Sequence, residues 1–235
     1  GSGKTSTLYS ALSEINTPDK NIITIEDPVE FNLEGINQIP VNPKIGVDFV
    51  TGLSSIVRQD PDVIMIGEVR DYETASIAIQ AALTGHLVFT TLHTRSAAGT
   101  ITRLIDMGAQ PFLLNSSING VVGQRLVRTI CTHCKTEVDI KTFKDFRQLK
   151  IIEEVKKRNP NPTVYQGNGC KYCDHTGHKG RIGLFEVMTL NEKVRELIVK
   201  KASSEKIRDC CVTEGMQTML DDGITKVLEG LTTIN

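Results

Sequence analysis

Gly1-Ser2-Gly3-Lys4-Thr5 is the stretch that decides how the rest of the chain is read. It matches the second half of a phosphate-binding loop, G-x-x-x-x-G-K-[ST], with Gly3 as the second glycine and the first lying upstream of Gly1. Glycines let the backbone wrap so tightly that several N–H groups converge on one anion, and the helix that follows adds the positive end of its dipole. In such a loop Gly1, Ser2, Gly3 and Ser6 border the phosphates, Lys4 reaches the β- and γ-phosphates, and Thr5 offers a hydroxyl to Mg²⁺. The competing reading is a glycine-rich N-terminus without function, such as a cloning remnant. The sequence that follows favours the loop: Thr7–Leu12 continues as a helix, and Asn21–Ile25 reads as a buried strand. Because the chain starts inside the motif, it is expected to be a fragment that binds a nucleoside triphosphate poorly as it stands.

Working outward, strand and helix signals alternate over residues 1–128. Apolar runs at Ile22–Ile25, Val63–Ile66 and Leu87–Leu92 have the composition of strands buried on both faces of a parallel sheet. Helices are expected between them at Tyr72–Thr84 and Ala97–Met107, each stopped by a glycine, Gly85 and Gly108. The pattern predicts an α/β fold with a mostly parallel sheet covered by helices. Residues 129–180 change character and carry two cysteine pairs separated by a charged amphipathic helix at Lys141–Arg158, which Asn159-Pro160-Asn161-Pro162 ends. Residues 181–235 begin with a strand at Arg181–Leu190 and continue as helices broken near Ser203, Gly215 and Gly223.

Composition sets outer bounds. A chain of 235 residues can bury a real core. The formal net charge of −1 gives no bulk attraction to nucleic acid, and no partner of that class is expected. No apolar run approaches the roughly 20 residues of a membrane-spanning helix, so the expected location is cytoplasmic. Four of the six cysteines form C-x-x-C pairs, a spacing that favours metal over disulfides in such a compartment.

Acidic residues cluster at strand ends. Ile22–Ile25 runs into Glu26-Asp27-Pro28-Val29-Glu30, and carboxylates at the carboxyl edge of a parallel sheet face the usual ligand crevice. Glu26 is the candidate for polarising the attacking water, against the plainer reading of E-D-P as a turn. Asp62-Val63-Ile64-Met65-Ile66-Gly67-Glu68 has the shape of a Walker B strand, with Gly67 where many such proteins carry Asp. Glu68 must then serve Mg²⁺ through water, while Arg70 and Asp71 are assigned structural roles: a bridge to a neighbouring subunit, or the cap of the next helix. His86 and His93 flank the third apolar run, and their odd separation along one strand predicts opposite faces and different tasks. His93, at the carboxyl end, is the candidate sensor of the γ-phosphate, and His86 is expected to hydrogen-bond to a partner or to support the fold.

Cys131-Thr132-His133-Cys134 and Cys170-Lys171-Tyr172-Cys173 are two knuckles, each able to present two thiolates to one ion. Four thiolates suit tetrahedral Zn²⁺. A redox pair is the alternative, and His133, His175 and His178 lie close enough to replace a ligand. The site reads as closed and structural. Of the adjacent Cys210 and Cys211, at least one is expected to be a small core residue.

Taken in order, Gly1–Thr5, Ile25–Glu30, Arg58-Gln59-Asp60-Pro61-Asp62, Gly67–Asp71 and Thr84-Gly85-His86 through His93-Thr94 resemble the Walker A, Asp box, Walker B and His box of the type II secretion and type IV pilus ATPases. The resemblance covers nearly the whole chain, and in that family a glycine before the Walker B glutamate is usual. It implies a RecA-like P-loop core, a homohexamer, and a preceding domain that supplies arginines to the nucleotide site. It also implies ATP turnover with Mg²⁺ that moves pilin-like proteins through an inner-membrane platform and its cytoplasmic-domain proteins, with the motor peripheral to that membrane. The C-terminus, Leu228 to Asn235, resembles the family's last segment with a short tail missing. The cysteine element is present in secretion and pilus-extension members and lacking in retraction members, which argues against retraction. Met107–Leu114 and Gln124–Thr129 lean toward type II secretion over pilus assembly. The readings from other classes are a catalytically idle zinc-bearing assembly module and a nucleic-acid motor. Charge and aromatic spacing give the last no support.

Overall fold

The computed structural model describes residues 1–234. In chain order the elements are α1 (Lys4–Ile15), β1 (Ile22–Glu26), β2 (Asn37–Pro40), α2 (Phe49–Ile56), β3 (Val63–Ile66), α3 (Tyr72–Leu83), β4 (Leu87–Thr90), α4 (Ala97–Asp106), α5 (Pro111–Ser117) and β5 (Gly120–Ile130). They continue as β6 (Lys135–Val138), α6 (Phe146–Arg158), β7 (Val164–Gly167), β8 (His178–Thr189), α7 (Glu192–Val199), α8 (Ser204–Thr213) and α9 (Met219–Leu228). The chain divides into two compact units. A sheet unit holds Lys4–Val122 and Val187–Met216, and a cysteine unit holds Gly1–Gly3, Gly123–Glu186 and the chain from Gln217 onward. The expected boundaries at 128/129 and 180/181 fall inside β5 and β8.

In the sheet unit four strands lie in the order β2-β1-β3-β4, every pair parallel, with Ile22 beside Val63 and Val63 beside Leu87. Side chains alternate between the faces with period two. Ile23, Ile25, Ile64 and Ile66 enter one core with Leu53 and Ile56 of α2, Ala78 of α3, Ile101 of α4, Leu114 of α5 and Ile207 of α8. Ile22, Val63 and Met65 face the other way, against Tyr9 and Leu12 of α1. Both faces are therefore covered, and that is why β1 and β3 are apolar at every position except Thr24 and Glu26, which share the α1 face. The carboxyl ends of β1, β3 and β4 lie at one edge of the sheet.

Several boundaries differ from expectation. β2 carries one aliphatic residue, Ile39, and its extended backbone is fixed by pairing with β1 rather than by its own pattern. β4 is an edge strand and ends at Thr90 rather than Leu92. His86 and His93 both lie outside it, so strand parity does not set their directions. Helices α3 and α4 end as expected, with Thr84 and Met107 as C-caps and Gly85 (φ 106°) and Gly108 (φ 110°) in the left-handed conformation that stops a helix.

In the cysteine unit, β6 and β7 pair antiparallel from Lys135 beside Gly167 to Val138 beside Val164. Its core joins Ile152 and Val155 of α6, Val164, Ile224 and Val227 of α9, and Ile234. β5 and β8 form a two-stranded sheet, and the division between the units crosses both strands. The sequence reading names no strand at β5. The charged helix begins at Phe146 rather than Lys141, because Asp145 accepts from the Arg147 and Gln148 amides and caps it there. Gly223 does not break the last helix: Thr218 and Asp221 form a capping box that starts α9, and Gly223 lies inside it. Among the described residues no helix is long and apolar enough to cross a membrane.

Candidate active site and metal centre

In the sheet unit the candidate residues converge from successive strands. Gly67 follows β3 directly and donates its N–H to the Ile25 carbonyl at 2.8 Å. The Thr91 hydroxyl donates to the Gly67 carbonyl at 2.8 Å, and the Val69 N–H to the Thr91 carbonyl at 3.0 Å. These bonds clamp the backbone on either side of Glu68 between the ends of β1 and β4. The Glu68 side chain is 16% exposed and has both oxygens engaged: Oε1 with the Arg70 guanidinium, and Oε2 with His93 Nε2 at 3.1 Å. The hydrogen bond from Arg70, then that from His93, holds the Glu68 carboxyl below the usual carboxylate range, although burial works against it. Arg70 also lies 4.0 Å from the Asp27 carboxylate. A row of Asp27, Arg70, Glu68 and His93 thus crosses the carboxyl edge of β1, β3 and β4. Arg70 and His93 are 62% and 72% exposed, so both are free to leave Glu68 for another anion.

Glu26 occupies a different setting. It is 2% exposed, on the face of β1 that packs against α1. Its Oε1 accepts from the Thr24 hydroxyl at 2.6 Å and from the Gln38 amide at 3.0 Å, and its Oε2 accepts from the Tyr9 hydroxyl. Burial and the Glu26 carboxylate push the Tyr9 hydroxyl pKa up to about 12, so it remains a donor.

Lys4, Thr5 and Ser6 open α1, whose first N–H groups are unused within the helix. Ile15 is joined to Ile22 at the start of β1 by a short link, while Tyr9 reaches Glu26 at its end. α1 therefore runs antiparallel to β1, and at about 1.5 Å per residue its first turn extends beyond Tyr9 on the carboxyl side of the sheet, the side of Glu68. Gly1, Ser2 and Gly3 belong to the cysteine unit. Gly3 has φ 81°, a left-handed backbone conformation that calls for glycine.

His86 turns away from this chemistry. Its Nδ1 lies 2.9 Å from the Ala81 carbonyl and 3.1 Å from the Thr84 hydroxyl, tying the end of α3 to the start of β4. Asp71 caps α3 by accepting from the Thr74 N–H at 2.8 Å. The sequence reading set Arg70 apart from the chemistry, whereas the structure puts it on Glu68. The signal for that contact is the i,i+2 spacing just past a strand, where two successive same-side residues meet.

The four knuckle cysteines come together in the cysteine unit. All four Sγ atoms lie within 4.8 Å of one another, with Cys131–Cys170 at 3.9 Å and Cys134–Cys173 and Cys170–Cys173 at 3.8 Å. A tetrahedron of Zn–S bonds near 2.3 Å has S···S edges of about 3.8 Å, so the donor set has the dimensions of a four-thiolate site. Among the described residues no histidine joins this group. For Cys173, burial opposes the thiolate, but backbone N–H groups at Cys170 and Gly177, aided by the Cys170 and Cys134 thiols, bring the pKa down to about 6. Burial pushes Cys134 up to about 12. Cys211 is buried in the sheet-unit core, as expected of a small apolar residue.

Known proteins resemble this chain over its whole length. The chain is 46% identical over 234 residues to the type II secretion system ATPase E of Vibrio cholerae, covering 100% of this chain and 45% of that protein. It is 48% identical over 237 residues to the type IV pilus assembly ATPase PilB of Thermus thermophilus, covering 100% of this chain and 26% of that protein. The chain thus spans half or less of the length of these relatives. Among solved structures, the pilus retraction motor PilT with bound ADP superimposes with a TM-score of 0.71 at 30% identity, over 99% of this chain and 56% of that one. The fold is accordingly the RecA-like P-loop core, here with a tetracysteine element and C-terminal helices. The family described as type II/IV secretion system protein matches residues 1–235, and the chain belongs to it.

Proposed function

We propose that this chain is the ATP-hydrolysing part of a homohexameric motor that powers type II protein secretion. In this reading it works at the cytoplasmic face of the inner membrane, through platform and cytoplasmic-domain partner proteins. The observation that carries the reading is the Arg70–Glu68–His93 row at the carboxyl edge of the parallel sheet, on the side toward which the first turn of α1 points. Lys4 and the loop N–H groups of Gly1–Ser6 hold the phosphates, and the Thr5 hydroxyl and the Glu68 carboxylate are the oxygen donors that suit Mg²⁺. Mg²⁺, when bound, supplies positive charge to the phosphate oxygens. Arg70 and His93, both exposed and both paired to Glu68, are placed to transfer their hydrogen bonds to the triphosphate, leaving Glu68 as a free anion. The sulfur spacing supports Zn²⁺ on Cys131, Cys134, Cys170 and Cys173, and a four-thiolate donor set of that kind would suit a structural rather than a catalytic ion.

In the full-length protein that contains this chain, Mg²⁺-dependent ATP hydrolysis is expected, and Glu68→Gln is expected to lower kcat by about 100-fold or more. Parent-rate turnover in that variant removes Glu68 from the site. Absence of turnover in the parent, with one zinc per chain retained, replaces the reading with that of an idle assembly module. Identity of 48% to a pilus assembly ATPase favours pilus extension as the second reading. Co-purification with a pilus platform instead of a secretion platform would select it.

A further inference from the structure

We propose that Tyr9, Glu26 and Gln38 form a positioning link. It fixes the segment after β1 against the helix that carries Lys4 and Thr5, and Glu26 acts through this link rather than on water.

The network has every polar group satisfied. Tyr9 and Glu26 are each 2% exposed, and Thr24 is fully buried beside them. The Tyr9 hydroxyl donates to Glu26 Oε2 and accepts from the Glu30 N–H at 3.2 Å and the Gln38 amide at 3.3 Å. Gln38 Nε2 further donates to Glu26 Oε1 at 3.0 Å and to the Phe31 carbonyl at 3.3 Å, and its Oε1 accepts the Leu33 N–H at 2.7 Å. The Phe31 ring meets the Tyr9 ring edge-on, with centroids 4.7 Å apart at 77°. Residues 30, 31 and 33 are therefore each held by a side chain of this group. Tyr9 lies only five residues from Lys4 within one helix, so any shift of Lys4 along the helix axis moves the hydroxyl that holds Glu30.

Packing alone does not account for this arrangement. Burying a carboxylate costs several kcal/mol before its hydrogen bonds offset it, and an apolar residue would fill the space between α1 and β1 more cheaply. A carboxylate there specifies geometry: it accepts only from donors placed as Tyr9, Thr24 and Gln38 are. The same burial keeps solvent from Glu26. The expectation that it polarises the attacking water requires it to leave three donors, whereas Glu68 stands at the exposed edge already.

The inference rests on the hydrolytic reading above, and its test separates the two. In the full-length protein, Tyr9→Phe keeps the ring and removes the hydroxyl. It is expected to lower kcat about tenfold while leaving the Kd for Mg·ADP within about twofold, since misplaced groups cost rate more than affinity. Gln38→Met, on the edge strand, is expected to do the same and serves if Tyr9→Phe does not fold. Glu26→Gln should fall no further than Tyr9→Phe, and the double variant no further than either single one, because all break one link. Parent-level kcat in Tyr9→Phe and Gln38→Met overturns the proposal. So does a 100-fold loss in Glu26→Gln that multiplies with Tyr9→Phe, which returns Glu26 to the water. If the parent itself hydrolyses no ATP, the functional reading fails, and the link is judged by amide exchange. The Glu30 amide should exchange about tenfold faster in Tyr9→Phe than in the parent, and equal rates overturn the link.

Discussion

Gly67 shows how closely the residue scale is constrained at this site. Its N–H is bonded to Ile25, its carbonyl accepts from Thr91, and a Cβ on it would stand 3.3 Å from the Ile25 carbonyl oxygen and 3.4 Å from Glu26 Cα. Both neighbours are backbone of the adjacent parallel strand and give only if β1 and β3 separate. Glycine therefore suits position 67, and the acid stands one residue further on, at Glu68. Gly67→Ala is expected to cost about 1–2 kcal/mol through overpacking, and Gly67→Asp more, read as a fall in the melting temperature of the full-length protein. Unchanged melting in Gly67→Asp would show that β1 and β3 part easily. Glu68, His93 and the cysteines stand out in the sequence because each lies in a short motif, and the structure brings Glu68 to His93 and the four cysteines into one cluster. The pairings of Glu68 do not stand out there: His93 meets Glu68 across two strands, and Arg70 folds back on it. A tyrosine on the apolar face of a helix, as Tyr9 is, reads as core. Its signal is the hydroxyl, which must find a partner once buried.

Elements were legible where burial on two faces imposes an unbroken apolar run, as in β1 and β3, or where a glycine marks a helix end, as at Gly85 and Gly108. They were not where the partner supplies the order. β2 has exposed ends and one aliphatic residue, and exists because β1 presents a free edge. β5 alternates partial burial along eleven residues that include two glycines and two arginines, so its pattern is diluted. The cap of α3 joins the two cases: Asp71 was legible as a candidate cap, and the structure confirms the bond to Thr74. Because α3 starts immediately after Glu68-Val69-Arg70, this cap also sets where the site's own loop ends. Asp71→Ala is expected to cost about 1 kcal/mol in chemical denaturation, and Asp71→Ser much less, since serine caps nearly as well. Equal losses for the two variants would mean that Asp71 acts through its charge rather than as a cap.

At the scale of the whole molecule the two units carry separate cores. The sheet unit buries long aliphatic side chains on both faces of its sheet, whereas the largest apolar cluster of the cysteine unit is built on six buried residues, beside four sulfurs. Under the zinc reading proposed above, a structural site would add to this unit apparent binding free energies of about 10–16 kcal/mol near neutral pH. Metal loss should therefore loosen one unit and spare the other. The full-length protein is expected to hold one zinc per chain. Removing it with a chelator, or by Cys134→Ser, should speed amide exchange in β6, β7 and residues 168–178 and leave Ile23 and Ile64 protected. The pH dependence has one sign: thiolates bind the metal and protons compete for them, so zinc is held at neutral pH and released as pH falls. Faster exchange throughout both units on chelation would show that they unfold as one. Zinc absent under reducing conditions would return the four sulfurs to redox chemistry.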